Sequence, residues 1–189
     1  MKKGLLIILS GPSGVGKGTV REYIVNTHKI DITFSISMTT RKPRQGETNG
    51  VEYYFVSQEE FDEHIRNGDF LEHASFVGNS YGTPKQAVED LRNQGKNVFL
   101  EIEVNGATQV LNAVKDEGVV SFFLMPPSIQ TLKNRIEGRK TEAKEIIEAR
   151  VNKGISEIQE ADKYDYVIVN DKVKNAGEKI IKIIQEKLA

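Results

Sequence analysis

Nine consecutive residues near the start of the chain, Gly11-Pro12-Ser13-Gly14-Val15-Gly16-Lys17-Gly18-Thr19, combine flexible backbone with one cation. Glycines let the chain curl until successive N–H groups point at one phosphate, and a helix beginning at the end of the loop adds the positive end of its dipole. Lys17 then supplies a mobile cation to the β and γ phosphates of a nucleotide. The apolar run Leu5 to Leu9 precedes the loop, and a helical pattern from about Lys17 to His28 follows it. That is the context a P-loop requires. Gly18 stands where Ser or Thr usually meets Mg²⁺, with Thr19 one place later. The expectation is therefore a Mg²⁺ ion held mainly by phosphates and water, with no protein metal ligand, as its reluctance to dehydrate allows.

A second cluster lies between Ser35 and Phe55. Arg41 and Arg44 are three residues apart, hydroxyl residues surround them, and Tyr53 and Tyr54 follow. Forked and single hydrogen bonds from such a group suit a second phosphate, although on its own the stretch also reads as a solvated basic turn. A third basic stretch, Arg135 to Lys153, has the pattern of a charged helix-loop-helix.

These residues need elements to position them. Leu5–Leu9, Val98–Ile102, Val119–Leu124 and Tyr166–Val169 are short apolar runs suited to strands covered on both faces. Helical segments lie between them, which is the alternation of an α/β fold with a parallel sheet. Ser57 with Glu60 matches a capping box, and Thr83 is expected to cap a helix opening at Pro84. Asn175 with Glu178 offers a similar start to the last helix.

The 189 residues suffice for a sizeable core, and 26 basic against 27 acidic residues give a net charge of −1. This balance gives no support to nucleic-acid binding. No apolar run is long enough to span a membrane. The absence of Cys excludes disulfides and thiol nucleophiles, and fits a reducing, cytoplasmic setting.

The ordered motifs together resemble the guanylate kinase family. They comprise the P-loop, Ser37-Met38-Thr39-Thr40-Arg41-Lys42-Pro43-Arg44, Phe70-Leu71-Glu72-His73-Ala74, Gly78 to Thr83, Pro126-Pro127-Ser128, Glu137 to Glu142 and Val169-Asn170-Asp171. The resemblance implies a three-layer P-loop core (1–33, 84–126 and 154–189), an inserted GMP-binding lobe (34–83) and a helical lid (127–153). It implies ATP and GMP as substrates, Mg²⁺ as cofactor, and a monomer or homodimer.

Carried over to this chain, Arg41, Arg44, Tyr53 and Tyr81 would hold the GMP phosphate. Ser37, Glu72, Thr83 and one of Glu101 and Glu103 would contact guanine, with the choice between those two glutamates open. Lys17, Arg44, Arg139 and Arg150 would serve catalysis, while Arg135 and Asn170 would lie near the adenine side of ATP. Glu101 and Glu103 stand where many relatives carry Asp, and Lys140 where Gly is common. Guanine's N1–H and N2–H₂ form adjacent donors that one carboxylate can accept, whereas adenine presents an acceptor at N1. Glu72 thus suits a guanine selector. A kinase for another monophosphate and a non-catalytic phosphopeptide-binding module are the rival readings.

Overall fold

The structure is a computed structural model that describes residues 2–76, 78–115, 118–138 and 144–189. Its strands are β1 (Leu6–Ser10), β2 (Thr33–Phe34), β3 (Ser37–Thr39), β4 (Tyr53–Phe55), β5 (Phe70–Phe76), β6 (Asn79–Pro84), β7 (Val98–Glu101), β8 (Val119–Met125) and β9 (Tyr166–Val169). The helices are α1 (Lys17–Thr27), α2 (Gln58–Asn67), α3 (Lys85–Asn93), α4 (Val104–Ala113), α5 (Ile129–Glu137), α6 (Lys144–Ile158) and α7 (Val173–Leu188). This is the α/β alternation that the apolar runs predict.

One sheet has the order β2-β7-β1-β8-β9, with β2–β7 and β8–β9 pairing in parallel. All five residues of β1 are buried. A strand with no exposed side on either face is covered by layers above and below, which is why its sequence is a continuous apolar run rather than an alternating one. The second sheet, β4-β3-β6-β5, is mixed: β3 pairs with β4 in parallel and with β6 antiparallel. Ser, Thr and Tyr recur along its strands, so no continuous apolar run marks them.

The chain forms two compact units. The first comprises Met1–Leu6, Thr33–Leu100 and Asn105–Val119. It contains a buried Arg92, whose Nε donates to Gly4 O at 3.0 Å and whose Nη1 reaches Glu89 Oε1 at 3.0 Å. A buried guanidinium is tolerable only with such a set of partners. The second unit comprises Ile7–Ile32, Glu101–Val104 and Val120–Ala189. There α5 and α6 close on Leu132, Ile136 and Val151, flanked by Ile147, Ile155 and Ile158.

Helix ends agree with expectation at α2, where the Ser57 hydroxyl accepts from Glu60 N–H at 3.1 Å and Gly68 stops the helix in the left-handed conformation. Two others differ. Thr83 does not cap α3: it lies within β6, Pro84 takes the cap position without a side-chain bond, and the Thr83 hydroxyl donates to Glu72 Oε1 at 2.5 Å. A carboxylate acceptor outcompetes the weaker capping bond. Asn175 does not open α7, which starts at Val173. Glu178, the other half of the expected box, instead accepts from Tyr23 Oη at 2.6 Å and Lys29 Nζ at 2.8 Å.

Candidate active site

The glycine loop joins β1 to α1, and its shape follows from space as much as from flexibility. Gly16 has φ of 98°, in the left-handed region, and a Cβ there would meet Asn170 Nδ2 at 2.8 Å. Glycine at this position therefore satisfies two constraints at once. Asn170, buried after β9, donates Nδ2–H to Val15 O at 2.8 Å. Arg135 on α5 donates to Val15 O and to Asn170 O, each at 3.0 Å. Both residues that the sequence assigns to the adenine side thus hold the loop backbone directly.

A cavity of about 360 Å³ opens over the loop. It is lined by Gly11, Ser13, Gly14, Gly16, Lys17, Gly18 and Thr19, and by Glu101, Ile102, Glu103 and Glu157. Lys17 is half-buried, and its ammonium donates to Gly11 O at 2.7 Å. Burial holds its pKa below the ordinary value, opposed by the negative charges of Glu101, Glu157 and Glu103. Arg150 on α6 donates to Ser13 Oγ at 2.8 Å. Seven of the nine loop residues expected to bind phosphate line one concave space with the lysine, and both candidate glutamates line it too.

Glu101 pairs with Arg21 at 3.3 Å, and Glu103 with Lys153 at 2.9 Å. Among the described residues no group of three or more His, Cys, Asp or Glu could hold a metal ion by itself. Two carboxylates beside a phosphate loop still fit Mg²⁺, because oxygen donors can order its water while phosphates supply direct ligands. No protein metal ligand is needed for that arrangement.

Glu157 is the residue of this cavity that the sequence reading passes over. It sits near the end of α6, and its side chain is 11% exposed. It accepts from the Ser13 N–H, and Lys153 Nζ lies 3.6 Å from Oε1. Burial raises its pKa, and the charges of Lys153 and Lys17 oppose that rise. Burial thus pushes Lys17 and Glu157 both toward neutrality, and their mutual attraction offsets part of the cost. The spacing Arg150, Lys153, Glu157 puts all three on one helix face, which is the signal that could have found it.

The first unit carries the second cluster. The register pairs Ser37 with Tyr53 and Thr39 with Tyr81, so three strands bring Ser37, Tyr53 and Tyr81 together. The Tyr53 and Tyr81 rings meet edge to face at 6.1 Å. The Arg41 guanidinium stacks over Tyr53 at 5.4 Å and forks onto Glu47, with both N···O distances 2.9 Å. Hydrogen bonds from Arg41 and from Arg44 N–H hold the Glu47 carboxyl below its ordinary pKa. The Arg44 side chain is exposed. Glu47 is therefore a partner that the sequence did not assign, occupying the fork of Arg41 as an anion would.

Further along the same sheet, Glu72 on β5 faces buried Thr83 on β6, and their side chains are bonded. Arg139 and Lys140 lie outside the described residues. Among the described residues no helix is long and apolar enough to cross a membrane.

The family model for guanylate kinase matches residues 3–187. A guanylate kinase of Mesoplasma florum is 54% identical over 182 residues, which is 96% of this chain and 61% of that relative. The chain thus spans about three fifths of that relative's length. A guanylate kinase of Bacillus cereus is 55% identical over 183 residues, covering 97% of this chain and 88% of the relative. One from Malacoplasma penetrans is 49% identical over 187 residues, covering 99% and 95%. Among solved structures, guanylate kinase from Anaplasma phagocytophilum superposes with a TM-score of 0.73 at 34% identity, covering 99% of this chain and 87% of that one. By its sequence motifs, its fold and these relatives, the chain belongs to the guanylate kinase family.

Proposed function

We propose that this protein transfers the γ-phosphoryl group of ATP to the phosphate of GMP, giving ADP and GDP, with dGMP as a further acceptor. The family match over residues 3–187 is the observation that carries this reading. In it, residues 34–83 form the GMP-binding lobe, 127–153 the lid, and the remaining segments the ATP-binding core. The setting is the cytoplasm and purine nucleotide metabolism, with the protein as a monomer or homodimer.

The acceptor phosphate of GMP has a second pKa of about 6, so at neutral pH it is largely a dianion and needs no general base. The obstacle is repulsion between two anionic substrates and the charge on the group in flight. Lys17, Arg44, Arg139 and Arg150 would offset that charge, together with N–H groups of the glycine loop. A bound Mg²⁺ would supply positive charge to offset that of the ATP phosphates. Glu101 and Glu103 would order its water, and one of them would also reach guanine. Arg41, Tyr53 and Tyr81 would hold the GMP phosphate, and Ser37, Glu72 and Thr83 the base.

The test is ADP formation from ATP with GMP, dGMP, AMP, dAMP and UMP offered in turn. GMP is expected to be turned over fastest. Preference for another monophosphate would assign a different acceptor, and failure to bind ATP would leave only the phosphopeptide-binding alternative.

A further inference from the structure

Resting on the reading of Glu72 as the guanine selector, we propose that Gly106 and Gln109 of α4 are positioning residues that set selection of the 2-aminopurine base. Neither residue belongs to the motifs that carry the family resemblance, and both act on the peptide and side chain of one short stretch of β5.

The Gln109 amide makes a double bond to the main chain of His73: Oε1 accepts from His73 N–H at 3.1 Å, and Nε2 donates to His73 O at 3.0 Å. A primary amide presents the same donor and acceptor pair as a neighbouring strand. Gln109 thus completes the hydrogen bonding of the residue immediately after Glu72. The register of β5 with β6 shifts between Phe70 and Glu72, just before this residue.

Gly106 controls the other end of the same side chain. It is buried, and a Cβ built on it would lie 2.6 Å from Glu72 Oε2 and 3.2 Å from its Cδ. That contact is impossible without displacement of the carboxylate. The opposite oxygen, Oε1, is held by Thr83 at 2.5 Å. The Thr83 hydroxyl and the missing Cβ of Gly106 bear on the carboxylate directly, and Gln109 fixes the main chain of the next residue. A carboxylate that accepts two adjacent donors of one base must be aligned with both, and a shift near 1 Å costs about a hundredfold in a positioned reaction.

The two residues also separate position from stability. The atom that a Cβ at position 106 would strike first is the carboxylate end of the Glu72 side chain rather than backbone, and alanine is the better helix former. Gly106→Ala is therefore expected to fold with an unchanged or higher melting temperature while misplacing the selector.

Steady-state kinetics of the full chain with ATP would be run against GMP and against IMP, which keeps N1–H but lacks the 2-amino donor. Gly106→Ala and Gln109→Ala should each raise KM for GMP about tenfold or more, change kcat much less, and lower the GMP-to-IMP ratio of kcat/KM. Glu72→Gln is measured alongside. If Glu72→Gln raises KM for GMP while the two α4 variants match the parent in KM and in GMP-to-IMP ratio, the positioning roles are overturned and the selector stands. If Glu72→Gln leaves KM for GMP unchanged, the selector reading falls and the positioning roles fall with it.

Discussion

At the scale of single residues, the Lys17 and Arg41 cations each sit against a polar partner. Lys17 bonds to the carbonyl of Gly11 and is within the influence of three carboxylates, so its ammonium is held in place. Lys17→Met should lower kcat by about a hundredfold or more with the fold intact, read by coupled assay and circular dichroism. Glu47 is depressed in pKa by Arg41 and Arg44. The folded state therefore binds its proton less tightly than the unfolded state. Its contribution to stability is complete above the ordinary value of 4.5 and is lost as pH falls through the depressed one. Glu47→Gln should remove that portion of the acid-side decline in melting temperature. Parallel melting curves of parent and variant below pH 4.5 would check it.

At the scale of elements, α6 does more than close a helical pair. Arg150, Lys153 and Glu157 stand on one of its faces, and they bond to Ser13 Oγ, to Glu103 and to Ser13 N–H. The same face passes so close to the loop that a Cβ at Gly154 would lie 3.5 Å from Pro12. Glu157→Ala would leave the Ser13 N–H without its carboxylate and take a compensating charge from Lys17. A rise in KM for ATP of about fivefold to tenfold, with KM for GMP little changed, is the expected outcome. Equal changes in both constants would show that α6 acts on the whole fold rather than on the loop. The strands and the first helix of this system were legible from apolar runs and glycine spacing, because those signals are local. The face of α6 was not, since its polar residues look like any solvated helix until the loop they touch is in place.

For the whole molecule, the near-cancelling total of 26 basic and 27 acidic residues conceals local order. Basic residues stand at the loop, at Arg41–Arg44 and on α5 and α6, where Lys17, Arg41, Arg135 and Lys153 each have a carboxylate or carbonyl partner. Ligands that bind only the folded state raise its stability by mass action. GMP alone and ATP alone should each raise the melting temperature, and Glu72→Gln should reduce the GMP shift while leaving the ATP shift intact. Loss of both shifts in that variant would count against separate binding determinants. The sequence by itself determined the P-loop and the α/β alternation, because glycine spacing and apolar periodicity act over a few residues and need no distant partner, and the ordered motifs along the chain pointed to the family. Only the tertiary structure decided that Thr83 bonds to Glu72 instead of capping a helix, and that Glu47 fills the fork of Arg41. Only it decided that Glu157, 144 positions from Ser13, supports the loop. Each of these turns on competition among polar partners, and which partner lies within 3 Å is set by packing rather than by order along the chain.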